Sequence, residues 1–133
     1  MLPEPYRLRR RQRFAYIFQH GQRLAAARLV IHWAKIPEQE SQLPQWGVIV
    51  SKKVSPLAVV RNRVKRQLRA ALRLLLPSLE PGYWGVLVAR QSITKAAWTE
   101  IATEVASLME MAGVLKNPDP IKPGLPEASP PQS

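Results

Sequence analysis

Residues 51–73, S-K-K-V-S-P-L-A-V-V-R-N-R-V-K-R-Q-L-R-A-A-L-R, leave the chain little freedom. At about 100° per residue, Val60, Val64, Leu68, Ala71 and Leu75 gather on one side of a helix, Leu57 among them, and that side must face a core. Arg61, Lys65, Arg69 and Arg73 follow one another at i, i+4 spacing. Asn62 and Arg66 fall in the same arc and Arg63 on its flank. Lys52 and Lys53 precede the helix, and no Asp or Glu occurs between residues 51 and 73. Like charges at this spacing cost a helix roughly 0.2–0.5 kcal/mol per pair, so an unneutralised stripe points to a partner that returns more. A polyphosphate fits, because Arg can hold two phosphate oxygens and displaces condensed counterions.

The rest of the composition agrees. A formal charge of +11 with a pI near 10.9 favours nucleic acid or an anionic membrane surface as partner. The 133 residues suit one domain, and 46% apolar content supplies one core. With no cysteine there is no disulfide framework, no thiolate nucleophile and no Cys-based zinc site. No apolar run reaches the 18 or so residues of a membrane span, and the N-terminus lacks the apolar segment of a signal peptide, so the expectation is a soluble, cytoplasmic protein.

Pro3 and Pro5 keep the start extended. The segment L-R-R-R-Q-R-F-A-Y-I-F-Q-H-G follows, a short helix with Phe14, Ile17 and Phe18 on one face and Gly21 as its stop. Its Arg9, Arg10, Arg11 and Arg13 oppose the helix dipole. Residues 28–36, R-L-V-I-H-W-A-K-I, predict a strand, with Arg28, Val30, His32 and Ala34 facing one way and Leu29, Ile31, Trp33 and Lys35 the other. A polar loop, 37–45, leads to a second strand, 46–51, and the two are expected to pair as a hairpin. Ser55 is the expected N-cap and Pro56 the first residue of the basic helix, which Pro77 should end near Leu76. Residues 83–90, Y-W-G-V-L-V-A-R, predict a buried strand that could run parallel to the second. Residues 94–112 predict a last helix with Trp98, Ile101, Val105, Leu108 and Ala112 on its core side and Gly113 beyond its end. The remainder, 114–133, holds repeated prolines and is expected to be a disordered tail after a single domain, 1–113. The fold class is α+β, one sheet with helices packed on it.

The run S-K-K-V, then A-V-V-R-N-R-V-K-R-Q-L-R, preceded by R-L-R-R-R-Q-R-F and F-Q-H-G and followed by P-G-Y-W-G-V-L-V-A-R, resembles the protein subunit of bacterial ribonuclease P. The resemblance implies a two-layer α/β sandwich of a four-stranded sheet and three helices, order α-β-β-β-α-β-α. That adds a short strand near residues 22–26 and a left-handed β-α-β crossover through the basic helix. It implies a subunit that binds a catalytic RNA and the 5′ leader of precursor tRNA. The RNA would carry the catalytic site and its magnesium ions. No cofactor or metal is then bound by the protein alone, no obligate protein partner is needed, and no membrane is involved.

By position, the resemblance assigns Lys53, Arg61, Asn62, Arg63, Lys65, Arg66 and Arg69 to the RNA subunit. It assigns Arg13, Phe14, Ile17, Phe18, His32, Ser51 and Lys52 to a cleft for the leader. Aromatic faces there would stack on bases at roughly 1–3 kcal/mol each with little sequence preference. The chain departs from the family at Ala25, Ala26 and Ala27, where an Asn-Arg pair is usual and Arg28 is the nearest arginine. It departs again at Ser55-Pro56-Leu57, where the helix entry usually contains glycine. A protein nuclease fits poorly, since two-metal cleavage needs converging carboxylates and the one aspartate is Asp119 in the tail. Glu100 and Glu104 are expected on a solvated face, and His20 and His32 are too few for a metal cluster. The alternatives are a ribosomal or RNA-chaperone protein and a membrane-surface binder.

Overall fold

A computed structural model describes residues 2–116. After a 3-10 turn at Glu4–Tyr6 the elements are α1 (Arg11–His20), β1 (Gln22–Ala25), β2 (Leu29–Lys35), β3 (Gln45–Ile49), α2 (Ala58–Leu74), β4 (Tyr83–Ala89) and α3 (Trp98–Ala112). The strands form one sheet in the order β1-β2-β4-β3. β1 and β4 lie antiparallel to β2, and β3 lies parallel to β4 with α2 as the crossover.

The expected hairpin of β2 and β3 does not form, because β4 lies between them. The burial of the strands explains the order. β4, Y-W-G-V-L-V-A, is apolar on both faces and takes the centre, whereas β3 carries Gln45 and Gly47 and stays mostly half-buried at the edge. Its outer side is covered by the N-terminal segment, where the Leu8 N–H donates to the Trp46 carbonyl at 3.0 Å.

Alternation along β2 sends its residues to two cores. Leu29, Ile31 and Trp33 join Val64, Leu68 and Leu72 of α2 and Ile101, Val105 and Met109 of α3 on one face. On the other, Ala34, Trp84 and Val86 meet Leu8 and Ile17 beneath α1. Gly85 is required in β4 because the six-membered ring of Trp46 occupies the space a Cβ would fill.

Three helix boundaries differ from expectation. Ser55 does not cap α2: its Oγ accepts from the Leu57 N–H at 3.1 Å, holding a turn, and the helix starts at Ala58 without a side-chain cap. Leu57 is consequently 61% exposed rather than part of the core. At its other end α2 stops at Leu74, and a 3-10 turn holds Pro77. Residues expected to open α3 form a 3-10 turn instead, Gln91–Lys95, and α3 begins where the Glu100 carboxylate accepts from the Ala97 N–H at 2.8 Å. Trp98 then sits in the first turn, 38% exposed, and not in the core. Gly113, with φ +79°, ends α3 in the left-handed conformation as anticipated.

The packed domain also continues past residue 113. Val114 is fully buried, its carbonyl accepts from the Glu80 N–H at 2.9 Å, and the Lys116 N–H donates to the Ser78 carbonyl at 2.7 Å. The expected tail beyond residue 116 lies outside the described residues.

Candidate nucleic-acid interface

The buried stripe of α2, Val64, Leu68, Ala71 and Leu72, fixes the rotation of the helix and turns its cations outward. Asn62, Arg63 and Arg66 are exposed, and Arg61, Lys65 and Arg69 half-buried. Asn62, Lys65, Arg66 and Arg69 line an open groove of about 370 Å³. The ion pairs among the described residues join Arg9 to Glu4, Arg13 to Glu40, and Arg28 to Glu100 and Glu104; none involves Arg61, Arg63, Lys65, Arg66 or Arg69. Two of these side chains are nevertheless braced. Arg61 Nη1 donates to the Ser55 carbonyl at 3.0 Å, and Arg63 Nη2 to the Thr94 carbonyl at 2.9 Å. Each carbonyl uses one donor and leaves the rest of the guanidinium fork and its charge available. Ser55 thus anchors this arginine instead of capping the helix.

The second surface lies beside α1. Phe18 is 46% exposed and meets the His32 ring edge-to-face, centroids 4.7 Å apart. Phe14 is half-buried and lies over Gly47, where an added Cβ would come within 3.0 Å of its Cζ. Partly buried Ile49 and Val88 pack into the same layer. Ser51, Lys52 and Lys53 are exposed in the turn after β3, where Ser51 Oγ accepts from the Lys53 N–H at 3.2 Å. Burial, and then the positive Arg23 nearby, lower the His32 pKa from its ordinary value of 6.5, so the imidazole is neutral at pH 7.

Two assigned cleft residues are taken up by contacts within the protein. Ile17 is 0% exposed, so it pins α1 to the sheet. Arg13 lies over the Trp84 ring at 4.8 Å and donates to Gln45 Oε1 and, at 3.3 Å, to Glu40 Oε1. Arg28 is likewise spoken for. Its backbone N–H and Nη1 both donate to the Glu104 carboxylate, at 2.8 and 2.9 Å, and Nη2 reaches Glu100 at 3.2 Å. It therefore ties β2 to α3; Glu104 is largely buried in that contact, while Glu100 stays exposed as expected.

Residue-by-residue assignment missed how the two surfaces meet. A cavity of about 310 Å³ is lined by Phe14 and Gly47 from the cleft side, Arg69 from α2, and Arg7 and Arg9 from the N-terminal segment. Gly47 was the available signal: a glycine in an edge strand marks a close approach, here by an aromatic ring. Among the described residues no group of three His, Cys, Asp or Glu could hold a metal ion, and no helix is long and apolar enough to cross a membrane.

The family model for Ribonuclease P matches residues 2–113. The chain belongs to the ribonuclease P protein family. Among its relatives, the ribonuclease P protein component of a Synechococcus species is 39% identical over 120 residues, covering 90% of each chain. That of Xanthomonas oryzae is 38% identical over 122 residues, 92% of this chain and 79% of the relative. In three dimensions the ribonuclease P protein of Staphylococcus aureus superposes with a TM-score of 0.75 at 22% identity, covering 85% of this chain and all of the other. The protein from Thermotoga maritima gives 0.68 at 23% identity, with 79% and 96% covered. These two likenesses concern the fold. Membership makes the chain the accessory protein subunit of an endoribonuclease that matures the 5′ ends of tRNA, with an RNA subunit and a tRNA substrate as partners.

Proposed function

We propose that the outer face of α2 docks on the catalytic RNA while the cleft beside α1 holds the single-stranded 5′ leader of precursor tRNA. The observation that carries this is the juxtaposition of two unlike surfaces. One is a helix face on which Arg61, Arg63, Lys65, Arg66 and Arg69 have no acidic partner among the described residues; the other is an exposed aromatic cleft, and Arg69 lines the groove on the first and the cavity leading to the second. Cations without carboxylate partners suit the phosphates of a folded RNA. Phe18 beside a neutral His32 suits unpaired bases, because every base has a π-face to stack. Asn62, Arg63, Lys65, Arg66 and Arg69 contact the RNA subunit, with Arg61 and Lys53 at the margin. Phe14, Phe18, His32, Ser51 and Lys52 form the leader site. Magnesium and the cleavage chemistry reside with the RNA, and the nearby cations lower the magnesium that the holoenzyme requires.

Reconstitution tests this. The full chain, added to a bacterial ribonuclease P RNA, should stimulate leader removal at low magnesium and favour precursor over mature tRNA. Equal binding to any structured RNA, without stimulation, would instead indicate a general RNA chaperone.

A further inference from the structure

At the end of the sheet below the last turn of α1, where its two faces meet, lies a second recess with an aromatic and a basic side. Neighbouring helical residues are about 100° apart, so with Ile17 pointing at the sheet, Phe18 and Tyr16 splay to opposite sides. On the Tyr16 side a cavity of about 380 Å³ is bounded by Tyr16 and His20 of α1, Gln22 of β1, Lys35 of β2 and Tyr83 of β4. Tyr16 is held in place rather than loose: its ring stands edge-on to Trp84 at 5.9 Å, and the His20 ring lies tilted against it, centroids 4.7 Å apart. Lys35 and Tyr83 are register partners on the face toward α2 and α3, so the recess wraps round the end of the sheet with Tyr16 on one side and Lys35 on the other.

We propose that this recess is a second site for an unpaired RNA nucleotide, its base stacked on Tyr16 and its phosphate round the sheet end at Lys35. The inference rests on the RNA-binding role proposed above and extends it across α1. No carboxylate lines the cavity, and Lys35 has no ion pair among the described residues, so the recess is open to an anion. The phenol hydroxyls of Tyr16 and Tyr83 make no hydrogen bond within the described residues, and the Gln22 amide stands at the rim; together they can meet the polar edge of a base. An aromatic ring and a cation with no acid between them, on a chain of charge +11, match a nucleotide in both chemistry and sign.

The test uses the full chain and a fluorescein-labelled oligouridylate, with Tyr16→Leu, Tyr16→Phe, Lys35→Gln and Phe18→Ala. Tyr16→Leu should weaken binding about tenfold, and Tyr16→Phe should restore it because the stacking face remains. Lys35→Gln should flatten the slope of log affinity against log salt by about 0.7, the signature of one lost single-strand phosphate. If Tyr16→Leu loses its fold by circular dichroism, Lys35→Gln, on an exposed side chain, decides alone. Unchanged binding by the Tyr16 and Lys35 variants while Phe18→Ala loses affinity would remove this site and leave the leader cleft standing. No loss in any variant would remove both. In reconstituted holoenzyme, a Tyr16→Leu penalty seen only with long-leader precursors supports the site and makes the leader its occupant. A penalty confined to the oligouridylate supports it with another strand as occupant.

Discussion

Replacing Arg66 with Gln should make the free protein more stable and its RNA complex weaker, two effects of opposite sign from one charge. Arg66 is exposed on α2, with Arg63 and Arg69 one turn to either side and no ion pair to lose among the described residues. Each like-charge neighbour costs the helix roughly 0.2–0.5 kcal/mol, so removing the shared partner of two should return roughly 0.4–1 kcal/mol at low salt. For a domain of this size that raises Tm by about 2–5 °C. The return should be nearer the lower figure because the Arg63 guanidinium is drawn off to the Thr94 carbonyl. In the complex the same change removes a phosphate contact, and the slope of log affinity against log salt should flatten by about 0.9 if the contact is to duplex RNA, with B-DNA as the guide. Thermal unfolding at low and moderate salt gives the first quantity, and filter binding to the RNA subunit across a salt series the second. A variant with a lower Tm, or an RNA complex with an unaltered salt slope, would refute the idea that this face is kept unneutralised for RNA.

Phe18→Ala should weaken binding of precursor tRNA by about 1–3 kcal/mol while leaving mature tRNA unaffected, measured by competition with the reconstituted holoenzyme; equal losses for both substrates would remove Phe18 from the leader site. Because burial lowers the His32 pKa, the unfolded chain binds the proton more readily than the folded one. The stability this residue contributes is therefore complete above the ordinary value of 6.5 and is lost as pH falls toward the lower folded value. Urea unfolding at roughly pH 5.5 and 7.5 should show this loss in the parent and less of it in His32→Gln. Gly85→Ala should destabilise the fold by about 1–3 kcal/mol, since its methyl must displace the Trp46 ring, and unfolding by urea would show it.

Much of the fold is legible in single segments. The apolar stripe of α2 at Val64, Leu68 and Ala71 and the alternation of β2 are periodic signals, and a side chain's direction follows from backbone geometry alone. Helix ends were less legible, because a cap depends on which group a side chain finally reaches. Ser55 had the right chemistry for a cap and spent it on the Leu57 N–H, while Glu100 supplied the hydrogen bond that started α3 four residues later than expected. Family motifs located the arginines of the helix but not which of them were already engaged.

What the amino-acid order decided by itself was the division of labour: one helix with an oily side and a side without acids in its sequence, and aromatic residues grouped upstream. Charge and periodicity are properties of neighbours along the chain, so they survive without a fold. Tertiary structure alone decided who stands beside whom. It placed β4 between β2 and β3, buried Ile17 out of the cleft, gave Arg28 to Glu104 and Arg13 to Trp84, and brought Arg69 against the cavity that Phe14 lines. Those outcomes were settled by competition between distant groups for the same carboxylate, ring or strand edge, and no local pattern records the winner.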